Sequence, residues 1–239
     1  MIIEDDASTQ VLQFYIGDTE TCGLPPHHYP CEIGLIKIDP LTFDSLWENV
    51  SLIDPEYPIH PKALEVHGIT QEMVANEPTL AEYVEHRLDG GLKGDIVMIA
   101  HNFQFDKPAL SKLGNIVHGV CTLLESRQVF TQKECPGLEN HKLGTLAAYF
   151  NFPPSKAHSA LGDCETTRHL IKKLVEVSGR SLASMARLTD RTVHEMPWGK
   201  HKGTLLHLVP AQYIRWLFDQ PGELEPNLRK SLQKVLDLK

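Results

Sequence analysis

The spacing of apolar residues changes its period once along this chain, and that change restricts the fold more than any other feature. Residues 11–16 (VLQFYI), 31–38 (CEIGLIKI) and 45–53 (SLWENVSLI) are short, rich in β-branched and aromatic residues, and separated by turn signals such as Asp39-Pro40. Each predicts a β-strand, and three in quick succession predict an antiparallel meander. From residue 61 the pattern alternates. Helices are expected at 61–67 and at 79–87, the second opened by Pro78-Thr79 and stopped by Asp89-Gly90-Gly91. A buried strand at 95–100 (DIVMIA) leads to a helix at 107–113 and a short strand at 117–121. Helices follow at 122–130, 142–150 and 159–177, the last with Leu161, Cys164, Ile171, Leu174 and Val175 at helical spacing and Gly179 as its stop. A meander followed by α/β alternation predicts one mixed sheet flanked by helices.

Residues 180–196 read as a short helix leading into a linker. Residues 197–239 read as a compact extension: a basic hairpin-like stretch (WGKHKGT), a helix at 211–218 and an amphipathic helix at 226–238. Trp198 and Trp216 are expected to form its small core, and residues 1–10 to be an N-terminal tail. The formal charge of −8 is unevenly divided, because residues 197–239 hold seven bases against four acids. An acidic body of this kind can still bind a polyanion if its carboxylates hold divalent cations, which invert the local field. No apolar run approaches the roughly 20 residues that span a bilayer, and the first residues lack the basic and apolar regions of a secretory signal. A cytoplasmic protein without a membrane partner is expected. The five cysteines show no CxxC pair, which predicts reduced thiols.

The acids carry the chemistry. Asp18 and Glu20 follow the first apolar strand two residues apart, so strand geometry puts both on one face. Asp106 follows the 95–100 strand, and Asp163 lies about one turn into the 159–177 helix, whose entrance carries His158. Singly, each is as easily a helix cap or a solvated charge. Four acids and a histidine, each at a strand end or helix start where side chains converge above a sheet, form a candidate hydrolytic site.

These segments resemble a known family. FYIGDTETCGL (14–24), AHNFQFD (100–106) and HSALGD (158–163) are similar to the three motifs of the DnaQ-like, DEDDh class of 3′-to-5′ exonucleases, over about residues 11–178. Glu32-Ile33-Gly34 and the stretch ALEVHGIT (63–70) resemble the same class, and the 198–218 region is similar to the C-terminal extension of its exonuclease X branch. The resemblance implies an RNase H-like core within an exonuclease domain at 11–179. It implies two divalent metal ions, Mg²⁺ with Mn²⁺ able to substitute. Asp18 would bridge both ions, Glu20 and Asp163 would hold one, Asp106 would support the other, and His158 would be the general base. Thr19, Leu24, His67, Asn102 and Phe105 are the candidate substrate contacts. Phe103 and Phe105 are expected to pack mainly in the core. The insert at 25–30 (PPHHYP) departs from the class pattern and is expected to be an exposed loop rather than a metal site. Lys200, Lys202 and Arg215 are candidates for phosphate contacts. The expected partner is a DNA 3′ end, single-stranded or frayed, with no obligate protein partner. An exoribonuclease of the RNase T or oligoribonuclease kind, or an idle nucleic-acid-binding module, are the alternatives.

Overall fold

The computed structural model describes residues 12–187, 196–220, 224 and 226–237. The chain divides into two compact units, residues 1–186 and 187–239. In the first, β1 (Gln13–Thr21), β2 (Pro30–Ile38) and β3 (Ser45–Leu52) form the antiparallel meander. The short helices α1 (Pro61–His67), α2 (Gln71–Val74) and α3 (Leu80–Glu82) follow, and α3 widens into a π-helical turn at Tyr83–Arg87. The chain continues through β4 (Leu92–Ala100), α4 (Phe103–Leu110), β5 (Gly114–Cys121), α5 (Thr122–Val129), α6 (Leu143–Tyr149), α7 (Ala160–Ser178) and α8 (Leu182–Arg187). The sheet order is β3-β2-β1-β4-β5, with β4 parallel to both β1 and β5. This mixed sheet flanked by helices is the expected fold class.

Alternation along the strands separates two cores. Phe14 and Ile16 of β1 join Ile36, Val97, Ile99 and residues of α7 on one face, while Tyr15 joins Leu35, Met98, Phe103 and Leu110 on the other. Continuing the period of two places Asp18 and Glu20 on the α7 side. The core reaches past the expected domain end at 179, because Leu182, Met185 and Ala186 of α8 are buried in it. All five cysteines are free thiols, and among the described residues no helix is long and apolar enough to cross a membrane.

Two expected boundaries shift at the acids. β1 does not stop at Ile16 but pairs with β2 through Glu20, since backbone amides inside a sheet require partners whatever their side chains. α4 starts at Phe103 rather than 107, after Asn102 turns the chain in the left-handed conformation (φ 70°). Pro108 suits a first helical position but sits inside this helix, so Asp106 belongs to its first turn.

In the second unit, a 3₁₀ turn at Leu206–Leu208 precedes α9 (Ala211–Phe218) and α10 (Pro226–Asp237). Its core contains Met196, Leu206, Val209, Ile214, Leu217, Leu224, Leu228 and Leu232. The tryptophans are not part of it: Trp198 is 45% and Trp216 51% exposed. The helical period explains this, since burying Ile214 and Leu217 of α9 turns Trp216 outward. The expected N-terminal tail, residues 188–195 of the expected linker and residue 238 of the expected last helix lie outside the described residues.

Candidate active site

The site forms where the acidic end of β1 meets the start of α7. The register pairs Asp18 with Gly34 and Glu20 with Glu32. A Cβ on Gly34 would lie 2.6 Å from the Ala160 carbonyl oxygen and the Leu161 nitrogen, so only glycine lets the α7 backbone come this close to the sheet. That approach brings Asp163 to the strand acids. Carboxylate oxygens of Asp18, Glu20 and Asp163 all lie within 4.8 Å of one another.

The α7 N-terminus is built from several bonds. Ser159 caps it by accepting from the Gly162 N–H at 3.3 Å, and Glu32 Oε2 accepts the Ala160 N–H at 2.7 Å. These satisfy amides that a helix leaves without internal partners. His158 is exposed and adopts φ 56°, a conformation rare for a residue other than glycine.

Asp106 stands outside the group of three. It is buried, and its Oδ1 accepts both the Thr19 N–H at 3.1 Å and the Thr19 hydroxyl at 2.6 Å. Its other oxygen accepts no protein hydrogen bond among those found for the described residues.

The electrostatics show crowded negative charge. Burial raises the Asp18 carboxyl well above its ordinary value, and Asp106, Asp163, Glu20 and Glu32 add repulsion. Glu20 is pushed up to about 7 by burial, then by Asp163, Glu32 and Asp106. Asp106 also rises to about 7 through burial, against the two Thr19 bonds. Burial raises Asp163, partly offset by His158. An all-oxygen donor set with this much unneutralised charge suits a hard divalent cation, which prefers carboxylates and water.

A cavity of about 850 Å³ opens beside the acids, with Thr19 and Glu20 in its wall, a volume typical of small-ligand sites. Leu24, His67 and Phe105 line it too, so four of the five candidate substrate contacts border one cavity. Asn102 is not among the lining residues. His67 is a neutral wall: its Nδ1 accepts the Ile69 N–H at 3.0 Å, leaving the proton on Nε2, which donates to the Thr21 carbonyl at 3.3 Å. Burial keeps its pKa below the ordinary histidine value. Phe103 is buried in the core, whereas Phe105 is half-exposed on the cavity. The 25–30 insert is more than a solvated loop. His27 stacks on Tyr57 at 5.1 Å and His28 packs at 5.5 Å from Phe105, giving the cavity an aromatic rim.

Glu32 is the residue of this site that sequence reasoning left without a role. Its signal was present, because pairing Asp18 with the glycine of Glu32-Ile33-Gly34 puts the two glutamates face to face.

The family model described as "Exonuclease" matches residues 16–171. A second, "Putative quorum-sensing-regulated virulence factor", matches residues 184–239. Exodeoxyribonuclease 10 of Escherichia coli K12 is 29% identical over 235 residues, covering 92% of this chain and 97% of that protein. Among solved structures, exonuclease X in complex with 5′-overhanging duplex DNA superposes with a TM-score of 0.59 at 26% identity, over 73% of this chain and 98% of that one. A 3′-exonuclease recognising a histone mRNA stem-loop shares the fold, with a TM-score of 0.54 at 16% identity over 69% and 81% of the two chains.

Proposed function

The chain belongs to the exonuclease family, and on that premise we propose that it hydrolyses phosphodiester bonds at DNA 3′ ends, releasing nucleoside 5′-monophosphates with two divalent metal ions. The observation that carries this reading is the convergence of Asp18, Glu20 and Asp163 beside a nucleotide-sized cavity. In the division of labour we propose, residues 11–179 carry the chemistry and 197–239 form an extension.

Asp18, Glu20 and Asp163 would hold the ions, and Asp106 would support them through its free oxygen. When bound, Mg²⁺ or Mn²⁺ supplies charge neutralisation and activation of water at the scissile phosphate. Thr19 fixes the Asp106 carboxylate by two hydrogen bonds, so that acid is oriented before substrate arrives. His158 takes the proton of the attacking water on a ring nitrogen, and its exposure lets it pass that proton to solvent. The terminal nucleotide lies in the cavity, with Leu24 and Phe105 against the base and His67 as an uncharged wall. Leu24, 77% exposed, offers apolar surface that a base would cover.

The preference for DNA rests on the relatives covering nearly the whole chain or most of its fold, one named an exodeoxyribonuclease and the other bound to duplex DNA. The RNA-bound neighbour makes an exoribonuclease the competing reading. A competition digest distinguishes them: single-stranded DNA and RNA of one sequence, 5′-labelled with different dyes, are mixed with the protein and Mg²⁺. Faster shortening of the DNA is expected. Shortening of the RNA with the DNA left intact would move the assignment to the exoribonuclease branch.

A further inference from the structure

The C-terminal unit carries an exposed face that the chemistry above does not use. Residues 196–204 form a tight turn, closed by backbone bonds from Met196 N–H to the Thr204 carbonyl (2.9 Å) and from Gly203 N–H to the Met196 carbonyl (2.8 Å). Gly199 has φ +77°, and a Cβ there would lie 2.9 Å from the Tyr213 hydroxyl, so glycine allows the turn to close onto α9. The result is a run of rings. His201 meets Tyr213 edge-on at 4.5 Å, and Tyr213 stacks on Trp216 at 5.4 Å with 28° between their planes. Trp216 is left 51% exposed.

Cations accompany the rings. Lys200 and Lys202 lie in the turn, Arg215 precedes Trp216, and all three are exposed. No ion pair engages them among the described residues. Asp219 is the single acid between 196 and 220, in a chain whose overall charge is −8. Stackable rings beside unpaired cations match unpaired bases on a phosphodiester backbone, since every base offers a π-face and every linkage a negative charge. A neutral apolar partner would desolvate three cations without compensation.

We propose that this face is a second binding site for single-stranded nucleic acid, in which bases stack on Trp216 and Tyr213 while Lys200, Lys202 and Arg215 contact phosphates. It goes beyond the 3′-end chemistry, because it binds strand additional to the segment held in the active site. Longer strands therefore bind more tightly than short ones.

The test uses the full chain carrying Asp18→Asn and fluorescence anisotropy with labelled dT6 and dT30, polyglutamate serving as a polyanion without rings. Adding Trp216→Ala is expected to weaken dT30 binding roughly five- to hundredfold, the loss of about one base stack, and Trp216→Phe to restore most of it. Replacing Lys200, Lys202 and Arg215 together by Gln is expected to flatten the salt dependence of dT30 binding by about two logarithmic units per unit. With Asp18 intact, both tail variants should hydrolyse saturating trinucleotide at the wild-type rate, so failure of the active-site reading would show separately as no hydrolysis by wild type. Unchanged dT30 affinity and salt slope in tail variants of wild-type thermal stability would overturn the proposal. Equal losses for polyglutamate would also overturn it, reassigning the face to acidic polypeptides.

Discussion

Glu32 lies across the sheet from Glu20, adds to the repulsion on three of the acids, and accepts the first amide of α7. Its two effects separate by substitution. Glu32→Ala removes the acceptor and leaves the Ala160 N–H unpaired, a loss expected at about 1–3 kcal/mol in urea denaturation. Glu32→Gln keeps an acceptor oxygen and removes the charge, so it should lose less than half as much; equal losses would refute the capping role. At this scale the chemistry was legible where a short period sets direction, as in Asp18 and Glu20 on one strand face. It was not legible where a partner arrives from far along the chain. Nothing local to Asp106 announces its two bonds from Thr19, 87 residues away, and nothing local to His67 announces that both ring nitrogens are engaged.

The element that decides the geometry is α7, and its approach to β2 depends on Gly34. Gly34→Ala would drive a methyl into the Ala160 and Leu161 backbone, which cannot swing aside as a side chain can. Expected are a loss of about 1–3 kcal/mol from overpacking and a turnover fall of roughly a hundredfold, as a shift near 1 Å at the reacting groups produces. Gly17→Ala is the control. The atoms nearest its methyl would be side-chain ends of Leu110 and Met98 rather than backbone, so melting and turnover assays should find activity within a few-fold of wild type. Similar turnover in the two variants would contradict a role for Gly34 in placing α7. Elements were legible in the sequence wherever burial imposed a clean period, as in α7 and α9. They were misread where function interrupts it: β1 continues through charged residues, and α4 starts four residues early around the motif that carries Asp106.

Across the whole molecule the acid cluster couples stability to pH and, on the proposed reading, to metal. Glu20 and Asp106 titrate near 7 in the fold but at ordinary carboxylate values when unfolded. The native state therefore holds their protons more tightly. This stabilisation is complete below the ordinary carboxylate range and is lost as pH rises through about 7. His101, pushed down to about 4 chiefly by burial, acts oppositely between about 4 and 6.5, so the acids are read cleanly between pH 6.5 and 8. In EDTA, Tm by calorimetry should fall across that window, and Mg²⁺ should raise Tm more at pH 8 than at 6.5. A flat or rising Tm in EDTA would contradict the crowded-acid account. The uneven charge of the chain was legible from the positions of its charged residues alone. The exposed tryptophans of the second unit were not, because aromatic content predicts a core without saying which face of a short helix the core occupies.

The central claim, that these carboxylates and His158 remove nucleotides from a 3′ end with divalent metal, is tested most directly by digesting 5′-labelled single-stranded DNA with wild type, Asp18→Asn and His158→Ala. In Mg²⁺ the wild type should give a ladder shortening one nucleotide at a time, EDTA and Asp18→Asn should abolish it, and His158→Ala should slow it roughly 10²- to 10⁴-fold. Immediate release of the label as a mononucleotide, or an undiminished ladder in EDTA or with folded Asp18→Asn, would contradict it.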